Sequence, residues 1–144
     1  MEIQIFKWED IGEIIKIERE SFEKDIWDKE EFMKFFETCK DSFLVAKENE
    51  KIIGYIILEM IEPKKGYIRS IAVKKEKRKK GVARNLIEYI IKKFEIKELS
   101  LHVRAGNNAI NFYKKLGFKE IERLNGVYHD GEDAIYMVWK IKCD

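Results

Sequence analysis

Apolar residues change their spacing several times along this chain, and that alternation restricts the fold more than any other feature of the sequence. Alternate residues are apolar in a first segment, about residues 2–7, and again between Ala134 and Ile141, which is the period of a β-strand. Elsewhere apolar residues recur at i, i+3 and i+4, the period of an amphipathic helix. The sequence therefore predicts the order β-α-α-β-β-β-α-β-α-β, a mixed α/β or α+β architecture.

The first half of the chain contains two helical segments and three strand segments. Asp10 fits the N-cap of the first helix, and the second helix begins after Asp28. Aromatic residues at helical spacing in the second helix are interpreted as core packing or a groove wall rather than a cofactor site, and they are Phe32, Phe35 and Phe36. Turn residues separate the strands, which predict an antiparallel meander. The strands are Phe43 to Lys47, Ile52 to Met60 and Tyr67 to Val73.

The second half continues with a helix, a strand, another helix and a last strand. An apolar stripe at helical spacing marks the first of these helices, formed by Ala83, Leu86, Ile87, Ile90 and Phe94. Leu99 to Val103 predicts the strand. The next helix, from Ala109 to Leu116, is expected to end at Gly117, because glycine readily adopts the conformation that closes a helix.

Composition excludes several classes of protein. Hydrophobic residues make up 45% and charged residues 39% of the 144 residues, which favours one folded domain over residues 1–144. The 29 basic and 27 acidic residues leave a net charge of +2, so no overall field favours nucleic acid. The apolar runs are too short for a bilayer and the first residues show no signal pattern. We therefore expect a soluble cytoplasmic protein with no membrane partner, no nucleic-acid partner and no metal site.

The segment from Tyr67 to Leu86 is the most informative part of the sequence. It predicts a strand, a basic turn containing Gly81, and then an amphipathic helix. A helix N-terminus presents unpaired backbone N–H groups and a partial positive charge, and a glycine there lets an anion approach the backbone. Neither of the two common nucleotide-binding glycine motifs is present.

Basic residues crowd this turn. They are Lys74, Lys75, Lys77, Arg78, Lys79 and Lys80. A solvated surface loop accounts for such charge, and a nucleic-acid patch is a second reading, although no aromatic residues for base stacking are interleaved. A diphosphate with an additional ribose phosphate, as in coenzyme A, would use the charge well.

The turn and the strand before it resemble the Gcn-five-related N-acetyltransferase (GNAT) superfamily. The family hallmark is Arg/Gln-x-x-Gly-x-Gly/Ala, which reads here Arg78-Lys79-Lys80-Gly81-Val82-Ala83, behind the strand Ser70-Ile71-Ala72-Val73. A second family block matches Leu101 to Arg104, Ala109 to Tyr113 and Leu116 to Phe118. The resemblance covers nearly the whole chain. It implies a mixed, mostly antiparallel sheet of about seven strands, including a further C-terminal strand, flanked by about four helices.

The resemblance also implies acetyl-CoA as co-substrate. Main-chain amides from Lys79 to Arg84 are expected to hold its pyrophosphate, and Ile71 and Val73 to pair main chain to main chain with its pantetheine arm. The family asparagine that contacts the cofactor corresponds to Asn107, because the loop after His102 looks one residue shorter here. The expected cofactor-binding set is Ile71, Ala72, Val73, Arg78, Lys79, Lys80, Gly81, Val82, Ala83, Arg84, Asn107 and Tyr113.

Within the superfamily, the chain is most similar to protein N-terminal (Nα) acetyltransferases, including the RimI and Ard types. Trp27 to Phe32 resembles the segment after the first helix of RimI-type enzymes. Tyr128 to Ala134 resembles the Tyr-x-x-Gly-x-Asp-Ala block of N-terminal acetyltransferases, whose tyrosine grips the peptide backbone; Val127 replaces a second tyrosine that relatives often have. Glu23 lies near a substrate-side glutamate of Ard-type enzymes. Protein or peptide N-termini are the implied substrates, and ribosomal proteins are attractive ones by resemblance only.

Acetyl transfer requires a neutral amine. An α-amine has an ordinary pKa near ~8 and a lysine side chain one near ~10.4, so an α-amine needs only a modest base. His102 occupies a family position that holds Glu or His, and its imidazole is mostly neutral at pH 7; the alternative is a packed histidine at a strand end. Tyr67 resembles the partner of this histidine in one branch of the family, or is an ordinary strand aromatic. Which of His102, Tyr67 and Glu23 is the base stays open.

Tyr113 matches the tyrosine that family members place near the thioester sulfur, where it would protonate or hydrogen-bond the departing thiolate. The alternative is a core aromatic. Neither Cys39 nor Cys143 falls in a motif, and the family expectation is direct attack in a ternary complex. Two other functions stay open: acetyl transfer to a small-molecule amine or lysine side chain, and a CoA-binding regulatory module without turnover.

Overall fold

The computed structural model describes residues 1–22 and 27–141. In these residues the chain forms seven strands and four α-helices, with two short 3-10 helices at Trp8–Asp10 and Lys75–Lys77, which confirms the predicted α/β class. Their bounds are β1 (Glu2–Ile5), α1 (Ile11–Ser21), α2 (Lys29–Thr38), β2 (Phe43–Glu48), β3 (Lys51–Glu62), β4 (Lys65–Val73), α3 (Val82–Lys93), β5 (Glu98–Arg104), α4 (Ala109–Leu116), β6 (Lys119–Leu124) and β7 (Ala134–Lys140).

The strands are hydrogen-bonded in the order β1-β2-β3-β4-β5-β7-β6. The chain divides into two compact units: the first contains residues 1–59 and 69–93, and the second contains residues 60–68 and the chain from residue 94 onward. Strands β3 and β4 each pass from one unit into the other, so neither unit is a continuous stretch of chain.

The first unit contains the β2–β3 part of the antiparallel meander predicted over β2, β3 and β4, with β1 beside it. β1 pairs with β2, which places Ile3 opposite Ala46, and β2 pairs with β3, which places Val45 opposite Tyr55. Helix α2 starts with a capping box, in which the Asp28 carboxylate accepts a hydrogen bond from the Glu31 N–H at 3.0 Å. Such reciprocal caps satisfy the backbone donors that a helix start leaves unpaired.

Aromatic side chains form much of the core of the first unit. Phe6 stacks on Phe43 with ring centroids 4.1 Å apart, and Phe32 meets Tyr55 edge-on at 6.0 Å. Phe32 is fully buried, and the other two predicted aromatics, Phe35 and Phe36, are partly buried against the same cluster. The interpretation of these α2 aromatics as core packing is confirmed.

In the second unit β5 has a strand on each side. It pairs parallel with β4, where Tyr67 lies opposite Ser100, and antiparallel with β7, where His102 lies opposite Tyr136. Successive residues of a strand face opposite sides of the sheet. Leu101 and Val103, on either side of His102, therefore point into the core, and both are buried.

Strand β6 is the element whose bounds the sequence did not predict. The predicted sheet of about seven strands includes a further C-terminal strand without bounds. No apolar alternation marks residues 119–124, because all of them except Leu124 are exposed. β6 lies at the sheet edge, where charged residues are common because they discourage pairing with other chains. A register shift between Glu120 and Glu122 further disrupts the alternation. Within the described ranges, none of the helices has the length and apolar content needed to cross a bilayer.

Candidate active site

The turn between β4 and α3 has the geometry of an anion-binding loop. Gly81 adopts a φ of +85°, and a Cβ at this position would meet no described atom within 4 Å. Its carbonyl accepts the first α-helical hydrogen bond, from the Asn85 N–H at 2.9 Å. The N–H groups of the first turn of α3, from Val82 to Arg84, precede that bond and so have no acceptor within the helix. The open space above these donors suits a phosphate.

The basic residues of this loop divide into two groups. Arg78 supports the loop from within the first unit, because its side chain donates to the Val73 carbonyl and to the Ser21 hydroxyl, both at 3.0 Å. Lys77 is ion-paired with Glu48 at 2.7 Å. The lysines nearest Gly81, Lys79 and Lys80, are exposed.

Gly54 is a residue of this region that sequence reasoning missed. It lies on β3, where a Cβ would come within 3.0 Å of the Ala72 carbonyl oxygen and 3.2 Å of Val82 Cγ1. The missing side chain therefore lets β3 approach both β4 and the start of α3. A single glycine inside a β-branched run was the available signal, since such a glycine often marks a close backbone approach.

Tyr67 and His102 form a hydrogen-bonded pair in the second unit. The Tyr67 hydroxyl lies 2.7 Å from His102 Nδ1, and their rings are 5.6 Å apart. His102 is exposed on β5, unlike the packed histidine considered as the alternative. An exposed imidazole with one nitrogen held by a hydrogen bond has a defined orientation and can exchange protons with a bound group.

The pair lies in an open cleft of about 370 Å³ within the second unit, a size in the range of small-molecule sites. Described residues that line it are Ile61, Tyr67, Ser100, His102, Glu122, Leu124 and Tyr136. His102, Tyr136 and Glu122 are direct neighbours on β5, β7 and β6. The His102 and Tyr136 rings are 4.8 Å apart. The sequence singled out neither Tyr136 nor Glu122.

Tyr113 is buried in α4 against Phe112 and Phe118, with ring centroids 5.4 and 5.6 Å away. Burial raises the pKa of its phenol to about 12. The hydroxyl is therefore protonated at neutral pH and can act as a hydrogen-bond donor. Gly117 ends this helix as predicted, and the Phe118 N–H donates to the Tyr113 carbonyl at 3.0 Å.

Asn107 lies two residues before the start of helix α4, whose N-cap is Asn108. Its side-chain oxygen accepts a hydrogen bond from the Ala109 N–H at 2.8 Å. The residue is exposed. This hydrogen bond orients the Asn107 side chain at the start of the helix, and its predicted contact with the cofactor stays a prediction.

The connection between β6 and β7, which carries Tyr128, is held by Arg104 at the end of β5. The guanidinium donates to Asp130 at 3.0 Å and to Glu132 at 2.9 Å. Its central carbon lies 4.0 Å from the centroid of the Tyr128 ring, within the range of a cation–π interaction. The Arg104 side chain is only 15% exposed, so these contacts define the conformation of the connection.

Glu18 on α1 is a buried carboxylate that the sequence analysis did not single out. It accepts hydrogen bonds from the Trp27 N–H at 3.1 Å and from the Tyr55 hydroxyl. The Tyr55 oxygen lies 3.1 Å from Ser70 Oγ. Burial raises the pKa of Glu18 above its ordinary value of 4.5, although these hydrogen bonds lower it. Glu23, the predicted substrate-side glutamate, lies outside the described residues.

Comparisons with known proteins agree on one family. A family model described as "Acetyltransferase (GNAT) family" matches residues 8–118. An N-alpha-acetyltransferase of Saccharolobus solfataricus is 35% identical over 151 residues, covering 91% of this chain and 87% of the relative. The crystal structure of Ard1 from Thermoplasma volcanium has the same fold, with a TM-score of 0.90 and 23% identity over 99% of this chain and 98% of that one. The ribosomal-protein-S18-alanine N-acetyltransferase from Escherichia coli aligns with a TM-score of 0.83 and 26% identity over 99% and 95%.

Proposed function

Because the chain belongs to the GNAT acetyltransferase family, we propose that it transfers the acetyl group of acetyl-CoA to the α-amine of protein N-termini. The observation that carries this proposal is the Tyr67–His102 pair, whose polar atoms are 2.7 Å apart in an open cleft. An α-amine, with an ordinary pKa near ~8, needs only the modest base that such a pair supplies. The sequence relatives described as N-alpha-acetyltransferases support the same substrate.

The Gly81 loop is the proposed site for the pyrophosphate of acetyl-CoA. Main-chain N–H groups from Lys79 to Arg84 would bind it, and Lys79 and Lys80 would add charge. Ile71 and Val73 would pair with the pantetheine arm, and Asn107 would contact the cofactor. The open space at Gly81 supports this placement, because backbone donors without a helical acceptor favour an anion.

His102 is the proposed proton acceptor. In the tautomer whose Nδ1–H donates to the Tyr67 oxygen, Nε2 is the basic atom of the imidazole and takes the proton of the attacking amine, directly or through water. In the other tautomer the Tyr67 hydroxyl donates to Nδ1. The Tyr67 oxygen would then take the amine proton while its own proton passes to His102. Tyr128 is the proposed contact for the peptide backbone.

Tyr113 is proposed to stabilise the leaving thiolate by a hydrogen bond. An ordinary thiol has a pKa near ~8.5, well below the value of about 12 that burial gives the Tyr113 phenol. Full proton transfer from the phenol to the thiolate would therefore be unfavourable, whereas donation of a hydrogen bond is not. Burial also raises the pKa of the Cys39 thiol, which makes this thiol a poor nucleophile. Direct attack by the amine in a ternary complex is the proposed route, and Cys143 lies outside the described residues.

A thiol-release assay tests the proposal. The protein is offered acetyl-CoA with peptides bearing a free N-terminus, with lysine peptides blocked at the α-amine, and with spermidine. Thiol release only with free N-termini is expected. Thiol release only with blocked lysine peptides or with spermidine would show that the acceptor is a lysine side chain or a small amine instead of an N-terminus. CoA binding without any thiol release would indicate a regulatory module. Ribosomal proteins as substrates and a cytoplasmic location stay predictions.

A further inference from the structure

Glu122 stands out among the charged residues of the cleft wall. On the same strand, Glu120 is ion-paired with Lys114 at 3.5 Å and Arg123 with Asp133 at 2.6 Å. Glu122 has no ion-pair partner among residues 1–22 and 27–141, and it is exposed. Among the described residues that line the cleft it is the only carboxylate, and none of them is a lysine or arginine.

Two basic residues that flank the Tyr67–His102 pair on this face of the sheet are paired with acids. Arg104, two residues after His102 on β5, contacts Asp130 and Glu132. Lys65, two residues before Tyr67 on β4, lies 3.5 Å from Glu62. Lys119 on β6 and Lys140 on β7 also face this side, opposite Val138 and Glu98, but neither lines the cleft. The carboxylate of Glu122 is thus the charge that a ligand inside the cleft would meet, and its sign favours a cation.

Tyr136 lies between His102 and Glu122 and adds an aromatic surface to the same wall. It is opposite His102 on β5 and opposite Glu122 on β6. The ring is only partly buried. A carboxylate beside an accessible aromatic ring is suited to an ammonium or guanidinium group, which binds both by charge and by the cation–π interaction.

We infer that Glu122 and Tyr136 form a subsite for a basic side chain at the second or third position of the acceptor peptide. Strands lie about 4.8 Å apart, so Glu122 is roughly 10 Å from His102 across β7. Tyr136 stands between the two residues, so the reacting amine is placed at His102 and the basic side chain at Glu122. The backbone separation of His102 and Glu122 equals about three residues of extended peptide, at ~3.3–3.6 Å each, and a long basic side chain shortens the required span. The inference rests on the proposed function, because it takes the amine at His102 to be a peptide N-terminus.

The test compares two peptides that share their first residue and differ only at positions two and three, which are Arg in one and Gln in the other. Arginine is used because its side chain does not compete as an acetyl acceptor. The wild type is expected to show a kcat/KM about three- to thirtyfold higher for the Arg peptide, the range given by one exposed ion pair plus one cation–π contact. Glu122→Gln should remove the preference and Glu122→Lys should invert it.

Glu120→Gln is the matched control. It removes the same charge from the same strand, but Glu120 lies opposite the buried Met137 and therefore faces away from the cleft. This variant should keep the preference for the Arg peptide. Unchanged acetyl-CoA affinity in each variant establishes that it is folded.

Two results would overturn the inference. Equal kcat/KM for the two peptides in the wild type, or a preference that survives in Glu122→Gln, would do so while leaving N-terminal acetylation intact. Acetylation of neither peptide, by protein that binds acetyl-CoA, would overturn the proposed function and this subsite with it.

Discussion

Tyr67 and His102 are 35 residues apart in the sequence, yet the structure brings their polar atoms to 2.7 Å. The residue types and their positions in family motifs could be predicted from the sequence. Their direct hydrogen bond could not, because it depends on the register in which β4 and β5 pair, with Tyr67 opposite Ser100. Tyr136 and Glu122 were missed for the same reason, since they join the cleft only through the pairing of β5, β7 and β6.

Removing either member of this pair should lower turnover without weakening cofactor binding. We expect His102→Ala to reduce kcat about 10²-fold, the lower end of the range for a general base. Tyr67→Phe, which removes one hydrogen bond, should reduce kcat about tenfold and move the lower limb of the pH–rate profile. Stopped-flow rates over pH 5–9 and calorimetric CoA titrations measure both effects. An unchanged profile in His102→Ala would exclude it as the base.

Glu18 shows a second limit of sequence reasoning at the residue scale. Helical spacing places Glu18 on the apolar stripe of α1, four residues after Ile14, but a charged side chain is rarely buried, and its partners are not visible in the sequence. The structure places it in the core, where Trp27 and Tyr55 satisfy its oxygens. Such a partner set stabilises the fold only if it compensates for taking the carboxylate out of water.

The raised pKa of Glu18 makes a prediction about stability and pH. Between the ordinary value of 4.5 and the raised value in the folded protein, the folded state binds the proton more tightly than the unfolded state does. The contribution of Glu18 to the free energy of unfolding is therefore full below that window and is lost as the pH rises through it. Glu18→Gln should reduce the slope of the free energy of unfolding against pH, measured by urea unfolding between pH 4 and 8, because the amide does not titrate. A slope as steep as in the wild type would contradict the assignment.

At the scale of elements, the β4–loop–α3 segment was the best predicted part of the chain. The apolar stripe of α3 is confirmed, with Leu86, Ile87 and Ile90 fully buried. Gly81 directly precedes α3, at the position that the motif assigns. Gly54 behind the loop gave a signal, as a single glycine in a β-branched run, but its close contacts with Ala72 and Val82 depend on how β3 packs against β4 and α3.

Substitution of Gly81 should weaken cofactor binding. Gly81→Ala places a Cβ among the proposed phosphate donors and forces a non-glycine residue into a φ of +85°, so we expect the Kd for acetyl-CoA to rise about tenfold or more. Gly131→Ala is the matched control, because Gly131 has a φ of +86° and also has no described atom within 4 Å of a Cβ. Isothermal titration with both variants measures the difference. Equal weakening in the two would mean that backbone strain alone is responsible.

The β6–β7 connection is predicted to depend on Arg104. Arg104→Ala removes the contacts to Asp130, Glu132 and Tyr128, so the peptide KM should rise about five- to tenfold while CoA affinity is kept. If Arg104 acts by positioning Tyr128, the double variant with Tyr128→Ala should be no worse than Tyr128→Ala alone. Additive losses would contradict that role. Lys114→Ala, which breaks an exposed ion pair elsewhere in the unit, is the control.

At the scale of the whole molecule, composition and element order predicted the fold class because the buried elements carry clear apolar periodicity. The edge strand β6 escaped, since its exposed residues have no such pattern. Family resemblance supplied the site residues that periodicity cannot, because a catalytic role depends on which side chains meet rather than on which are apolar. The single-domain organisation stays a prediction.

That organisation can be tested through unfolding. β3 and β4 contribute residues to both units, so we expect one cooperative transition. Trp8 and Trp27 report on the first unit and Trp139 on the second. Two variants separate these signals: Trp139→Phe keeps the tryptophans of the first unit, and Trp8→Phe/Trp27→Phe keeps only Trp139. In each variant, the urea midpoint from tryptophan fluorescence should equal the midpoint from far-UV circular dichroism. Two separate midpoints within one variant would show that the units unfold independently.

The most direct test of N-terminal acetylation is to locate the transferred group. A peptide with a free α-amine and one internal lysine is incubated with acetyl-CoA and the protein, and tandem mass spectrometry identifies the modified nitrogen. We predict acetylation of the first residue's α-amine with the lysine left unmodified. Acetyl on the lysine instead, or on neither amine when the protein is saturated with acetyl-CoA, would contradict the account.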